Sequence, residues 1–148
     1  MSTADPLAAA GFDPKLFTGL VSQIGHGGAL GIGYQGHGPD WVELTLPYRD
    51  SFVGVVETGV IASGPIISLM DMALSMAIWV KLDRFRQQAT LDLRIDYLRP
   101  ATPGQPIIGR GECYRTTKSI GFTRGIAHQG DPGNPVANVA ATFMWTKW

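Results

Sequence analysis

The chain has 148 residues, 12 Lys+Arg against 12 Asp+Glu, a hydrophobic share of 45% and a charged share of only 16%. That length holds one compact domain burying roughly 70% of its unfolded surface; zero net charge leaves no electrostatic footprint for nucleic acid or an anionic membrane. So few charges imply a surface partly buried in a partner or kept soluble on little, and lone Cys113 excludes a disulfide framework and reads as a small buried apolar residue.

The opening MSTADPLAAAGFDP has neither the basic region nor the apolar run of a secretory signal. The longest apolar stretch, at 65–80, is shorter than the roughly 20 residues that cross a bilayer, and it holds Asp71 at its centre. A soluble, cytoplasmic protein is expected. Asp13-Pro14 reads as an N-cap and a first-turn proline opening a short amphipathic helix. Phe17, Leu20, Val21 and Ile24 are spaced to make its inward face, and Gly25, Gly27 and Gly28 end it. His26 in that run reads as a residue favoured near the negative end of a helix.

Two extended runs follow around the turn residues Gly38, Pro39 and Asp40, the second alternating Trp41, Glu43 and Thr45 with buried Val42, Leu44 and Leu46. Residues 47–61 read as a long loop with short extended pieces, a length that tends to be functional in a small domain. A helix over Ser63–Leu82 comes next. In TLDLRIDYL, residues 90–98, Leu91, Leu93, Ile95 and Tyr97 alternate with Asp92, Arg94 and Asp96, which predicts a strand. Thr90 has the parity of Asp92, so only an end effect or a bulge would aim it at the helix. Extended runs at 105–117 and 119–130, a turn at 131–134 and a final strand from Pro135 complete the chain. Short turns make these strands antiparallel. The order predicts a single α+β domain over 1–148, a helix on one face of an antiparallel sheet, with 1–28 as an N-terminal helical extension.

Ile66–Val80 is apolar all round, hence buried all round, except at Ser68, Asp71 and Ser75, whose spacing makes one narrow stripe. An unpaired carboxylate in such a setting costs several kcal/mol. Asp71 therefore pairs with an arginine, caps a loop or works at a pocket. Ser63-Gly64-Pro65 supplies a capping hydroxyl and a first-turn proline. The N–H groups of Ser63, Gly64 and Ile66 lack helical partners at the positive end of the dipole, where they can hold an oxyanion. Gly31–Gly36 fits G-x-G-x-x-G but lacks the helix a dinucleotide site needs. His26, His37 and His128 show no zinc-ligand spacing, so no metal is expected. Ser63 lacks a G-x-S-x-G setting, and Met70, Met72 and Met76 read as core packing.

GVIASGPIISLMD at 59–71 and TLDLRIDYLRPA at 90–101 resemble the two main motifs of PaaI-type hotdog-fold acyl-CoA thioesterases. The similarity extends over about 40–146 and includes ANVAATFMW near the end. The resemblance implies a long central helix wrapped by a curved antiparallel sheet. It also implies homodimers joined edge to edge with active sites between subunits, commonly paired into homotetramers. The implied reaction is hydrolysis of acyl-CoA to free acid and CoA without a cofactor. Asp71 would be nucleophile or general base. Ser63 and Gly64 match the glycines of the family's His-Gly-Gly, the backbone N–H of Ser63 binding the thioester carbonyl, and Thr90 would help position the attacking water.

Two positions depart from that pattern: the histidine is Ala62 and the asparagine six residues earlier is Val56. Losing one oriented polar contact of this class costs about 10²–10³ in rate. Either Glu57, Thr58 or a shifted group replaces the pair, or the pocket binds acyl-CoA with little turnover. His26-Gly27-Gly28 spells the tripeptide with no carboxylate-bearing helix after it. Arg99, Arg115, Lys118 and Arg124 are the basic candidates for CoA, and Lys118-Ser119 lies where the family often contacts the nucleotide or pantetheine arm. A pocket of Ile, Met, Val and Phe fits aliphatic and aromatic acids alike.

Overall fold

Asp13 opens the first helix as its sequence demands. Its carboxylate accepts the N–H groups of Lys15 and Leu16 at 2.9 and 3.0 Å, and Pro14 starts α1 (Pro14–Val21). The computed structural model describes residues 11–145, so part of the extension expected over 1–28 lies outside the described residues. The inward face of α1 differs from expectation. Pro14 and Thr18 are buried and Phe17 meets Trp79 at 5.1 Å between ring centroids, whereas Leu20 and Ile24 stand 61% and 70% exposed. An aromatic cluster of Phe12, Phe17, Trp79 and Phe85 fixes which side of α1 turns inward.

Gly25, Gly27 and Gly28 do not end this region; they build a second helix, α2 (Gly25–Leu30), closed by Gly31 at φ 69°. The reason is steric. Gly27 is buried, and a Cβ there would stand 3.1 Å from Met72 Cε and 3.3 Å from the Val21 carbonyl oxygen. A glycine lets α2 lie against the central helix.

Strands β1 (Gly33–His37) and β2 (Trp41–Leu46) form the expected hairpin, with Val42, Leu44 and Leu46 buried. The 47–61 loop carries a 3-10 turn (Asp50–Phe52) and a ribbon of β3 (Val53–Val55) and β4 (Val60–Ile61). Then come α3 (Ser63–Leu82), β5 (Gln88–Tyr97), β6 (Ile107–Thr116), β7 (Ile120–His128) and β8 (Ala137–Trp145). Six strands make one antiparallel sheet in the order β1-β2-β6-β7-β8-β5, and α3 lies across it. This is the hotdog architecture. By length and composition alone α3 is long and apolar enough to cross a membrane, yet Leu69, Met70, Ala73, Leu74, Met76, Ala77 and Ile78 are fully buried in this core. Cys113 is buried too, and that burial pushes its thiol pKa up, so it stays protonated and inert.

Glycines set how closely the sheet meets the helix. A Cβ on Gly111 would stand 2.6 Å from the Ala73 carbonyl oxygen and 2.8 Å from its carbon, backbone atoms that cannot rotate away. Gly111→Ala is therefore expected to lift α3 and cost about 1–3 kcal/mol, the usual penalty of overpacking. Urea unfolding checks this against Gly36→Ala, where nothing lies within 4 Å. A lowered midpoint in the first variant alone is the expected result.

Candidate active site

The stripe Ser68, Asp71 and Ser75 on α3 faces a cleft of about 550 Å³, walled by Phe17, Val21, Met72, Trp79 and Leu93 and also lined by Thr90 and His26. Asp71 is half-buried there, and its Oδ1 accepts the Thr90 hydroxyl at 2.8 Å. Thr90 reaches the helix through a bulge: pairing with β8 jumps from Thr90–Phe143 to Asp92–Thr142, leaving Leu91 over. Leu91, expected to face the helix, is 52% exposed instead. No arginine neutralises Asp71; the ion pairs among the described residues join Arg94 to Asp96, Arg110 to Glu43 and Arg124 to Glu112. Its Oδ2 has no hydrogen-bond partner among the described residues. One oxygen held by a neutral donor and the other free toward an open apolar cleft is an arrangement that can take a proton from water.

Thr90→Val keeps the shape and removes that donor. Loss of one hydrogen bond to a charged group predicts a fall in turnover of about tenfold, read as kcat for thioester hydrolysis, with the fold unchanged by circular dichroism.

At the start of α3 the cap is Ala62, at φ −64° and ψ 159°, with no side-chain cap. Ser63 is the first helical residue, so its hydroxyl does not cap as expected. The Ala62 N–H donates to the Phe52 carbonyl at 2.7 Å and holds that residue extended just before the first turn. The N–H groups of Ser63 and Gly64 make no hydrogen bond among the described residues. Ser63 opens into a second cleft of about 400 Å³, lined also by Ile66, Tyr97, Leu98, Arg99 and Val136. The Tyr97 hydroxyl donates to the Ser63 carbonyl at 3.4 Å, and burial pushes the Tyr97 pKa up, which keeps that proton in place.

Arg99 sits in this cleft without a carboxylate partner among the described residues. Its guanidinium donates to the carbonyls of Pro100 and Asn134, each at 3.0 Å. Val56 is 84% exposed on the β3–β4 turn, beside exposed Glu57, and Ala62 is exposed as well. Thr58 is engaged within the turn: its hydroxyl donates to the Val55 carbonyl at 3.3 Å and accepts the Val60 N–H at 3.4 Å. Lys118 and Ser119 are exposed on the β6–β7 turn, where their carbonyls accept Trp145 Nε1 and N, each at 3.0 Å. Arg124 pairs with Glu112 at 3.2 Å and lies over the Tyr114 ring, away from both clefts.

The fold thus brings Asp71 and Thr90 together and gathers Ser63 and Arg99 in a different cleft, with Gly64 exposed beside Ser63 on the first turn of α3. Ser63 and Asp71 are eight residues apart on α3, about 12 Å along its axis. One polar group of the Asp71 cleft was read in the sequence as belonging to the negative end of a helix, yet it lies in the first turn of α2. His26 Nε2 lies 2.8 Å from Ser68 Oγ, across 42 residues of chain. The signals available were the polar stripe itself, which needs partners, and the glycines that admit α2.

Residues 58–136 match the model of a family described as the thioesterase superfamily. No curated protein matches the sequence. Among solved structures, a Pseudomonas aeruginosa protein is 38% identical, over 89% of this chain and 96% of its own, with a TM-score of 0.77. A thioesterase of Haemophilus influenzae superposes at a TM-score of 0.80 with 19% identity over 95% of each chain. A phenylacetic acid degradation-related protein of Ralstonia eutropha gives a TM-score of 0.67 at 25% identity, over 79% of this chain and 86% of its own.

Proposed function

The chain belongs to the thioesterase superfamily, and from that premise we propose that it hydrolyses acyl-CoA thioesters, in the cytoplasm, at a site built by two copies. The observation that carries this reading is Asp71: one oxygen on Thr90, the other without a partner among the described residues, in an open apolar cleft. Water held at Oδ2 loses a proton to Asp71 as its oxygen attacks the thioester carbon. Charge then grows on the carbonyl oxygen and needs donors already in place, the N–H groups of Ser63 and Gly64. The carbon–sulfur bond breaks, its electron pair stays on sulfur, and the acid is released.

Within one chain Asp71 and Ser63 open into different clefts, so the donors come from the second copy. Strand β5 supplies the joint. It is an edge strand of ten residues with exposed Leu91 and Tyr97, and Leu98 is exposed just beyond it. Such an edge invites pairing with an identical strand. Burying it in a dimer, or a dimer of dimers, also suits a chain with 16% charged residues. Arg99, in the same cleft as Ser63 and without a carboxylate partner among the described residues, is assigned to CoA phosphate; Lys118 and Ser119 are the further candidates. Phe17, Val21, Met72 and Trp79 would take the acyl group, aliphatic or aromatic.

A second reading, an acyl-CoA-binding protein with little turnover, is favoured by apolar Ala62 and Val56 where oriented polar groups are usual. A panel of acyl-CoAs separates the two, with thiol release and calorimetric binding followed on the same samples. Release on every turnover supports the hydrolase; saturable binding without release supports the binding protein.

A further inference from the structure

We propose that His26 is a further catalytic residue of the Asp71 cleft, an imidazole held by Ser68 whose free N–H meets the charge that develops on the departing sulfur. The inference rests on the reading of Asp71 as the base and adds a group to the same site. Ser68 lies three residues before Asp71 on α3, about 4.5 Å along the axis, and both line one cleft with His26.

A helical serine ordinarily returns its hydroxyl to a carbonyl of the preceding turn. Ser75, on the same stripe, does so, donating to the Met72 carbonyl at 3.0 Å. Ser68 instead meets His26 Nε2 at 2.8 Å and has no other partner among the described residues. A hydroxyl donating to Nε2 places the imidazole proton on Nδ1.

The donors of the cleft can then be accounted for one by one. Thr90 gives its proton to Asp71, Ser75 to Met72 and Trp79 Nε1 to the Arg86 carbonyl, while Ser68 Oγ and His26 Nε2 share one hydrogen bond. The proposal takes Ser68 as the donor in that bond, the tautomer in which Nδ1–H of His26 is the side-chain donor left uncommitted among the described residues. The scaffold that delivers it is the close seat of α2: Gly27 lies where a Cβ would stand 3.1 Å from Met72 Cε, on the turn of α3 beside Ser68. With Ala62 and Val56 unable to donate, this imidazole supplies the polar contact that the site otherwise lacks. In the step itself water's oxygen bonds the carbonyl carbon and its proton passes to Asp71. As the carbon–sulfur bond breaks, sulfur leaves as thiolate on His26 Nδ1–H and is protonated by solvent.

Three substitutions of His26 test this, with Ser68→Ala beside them, on an alkyl acyl-CoA and on an activated aryl thioester of the same acid. His26→Leu is expected to lower kcat on the acyl-CoA about 10²-fold with KM little changed. On the aryl thioester, whose thiolate needs no help to leave, the loss should shrink to a few-fold. His26→Asn, which keeps a donor near the Nδ1 position, should recover most of the rate; His26→Gln, whose donor falls toward Ser68, should not. Ser68→Ala should show the same leaving-group dependence in weaker form, which keeps the test open if His26→Leu fails to fold. Equal losses on both thioesters, or no loss, would overturn the proposal. Undiminished activity of Asp71→Asn would overturn the base reading instead.

Discussion

Asp71→Asn is expected to lower acyl-CoA turnover by about 10³-fold, within the 10²–10⁴ that a positioned general base contributes. The amide matches the carboxylate in shape, and its carbonyl oxygen still accepts the Thr90 hydroxyl that Oδ1 accepts at 2.8 Å. What it cannot do is take a proton from water. The substitution also removes a half-buried charge that no arginine neutralises, so thermal stability should stay level or rise slightly. Thiol release and calorimetric binding on one preparation check both parts. Retained affinity with lost release is the expected outcome; retained release would remove Asp71 from the chemistry.

Ser63→Pro is expected to cost about 10²–10³ in kcat, the usual penalty for one oxyanion donor. Proline at the first helical position suits a helix, because the missing N–H has no helical partner there. The preceding residue must be extended, and Ala62 already is, at φ −64° and ψ 159°. The change thus deletes one backbone donor and leaves α3 in place. The rate should fall without a matching rise in KM, because the donor matters most when the carbonyl oxygen carries charge. An unchanged rate would show that the thioester carbonyl lies elsewhere.

Much of the fold was legible because it rests on pattern. The apolar run from Ile66 to Val80 gave the central helix, and alternation along 41–46 and 90–98 gave two strands, with the buried side right in the first, whereas in the second Leu93 and Ile95 are partly buried and Leu91 and Tyr97 are exposed. The errors share a cause: periodicity says which residues lie on one face, not what comes to cover it. Leu20 and Ile24 have the spacing of an inward face, yet the aromatic cluster around Trp79 turned α1 another way. The glycines at 25–28 read as a stop because intrinsic propensity disfavours them in helices; close packing on Met72 outweighed that. The bulge at Leu91 belongs to the pairing of β5 with β8, and parity along one strand cannot register it. Asp71 was found as a charge out of place in an apolar run. His26 was read as a helix-end residue and not as part of the site because its partner, Ser68, lies on an element packed against it only in three dimensions.

Purified mixed dimers test most directly whether each reaction centre draws on two chains. One chain carries Asp71→Asn and the other Ser63→Pro, with different affinity tags to isolate the heterodimer. If the carboxylate and the backbone donors of a centre come from different copies, one of the two symmetry-related sites regains both intact parts, and the heterodimer shows roughly half the native rate. If each centre lies within one chain, both sites keep one lesion, and the heterodimer is as slow as the Asp71→Asn and Ser63→Pro homodimers.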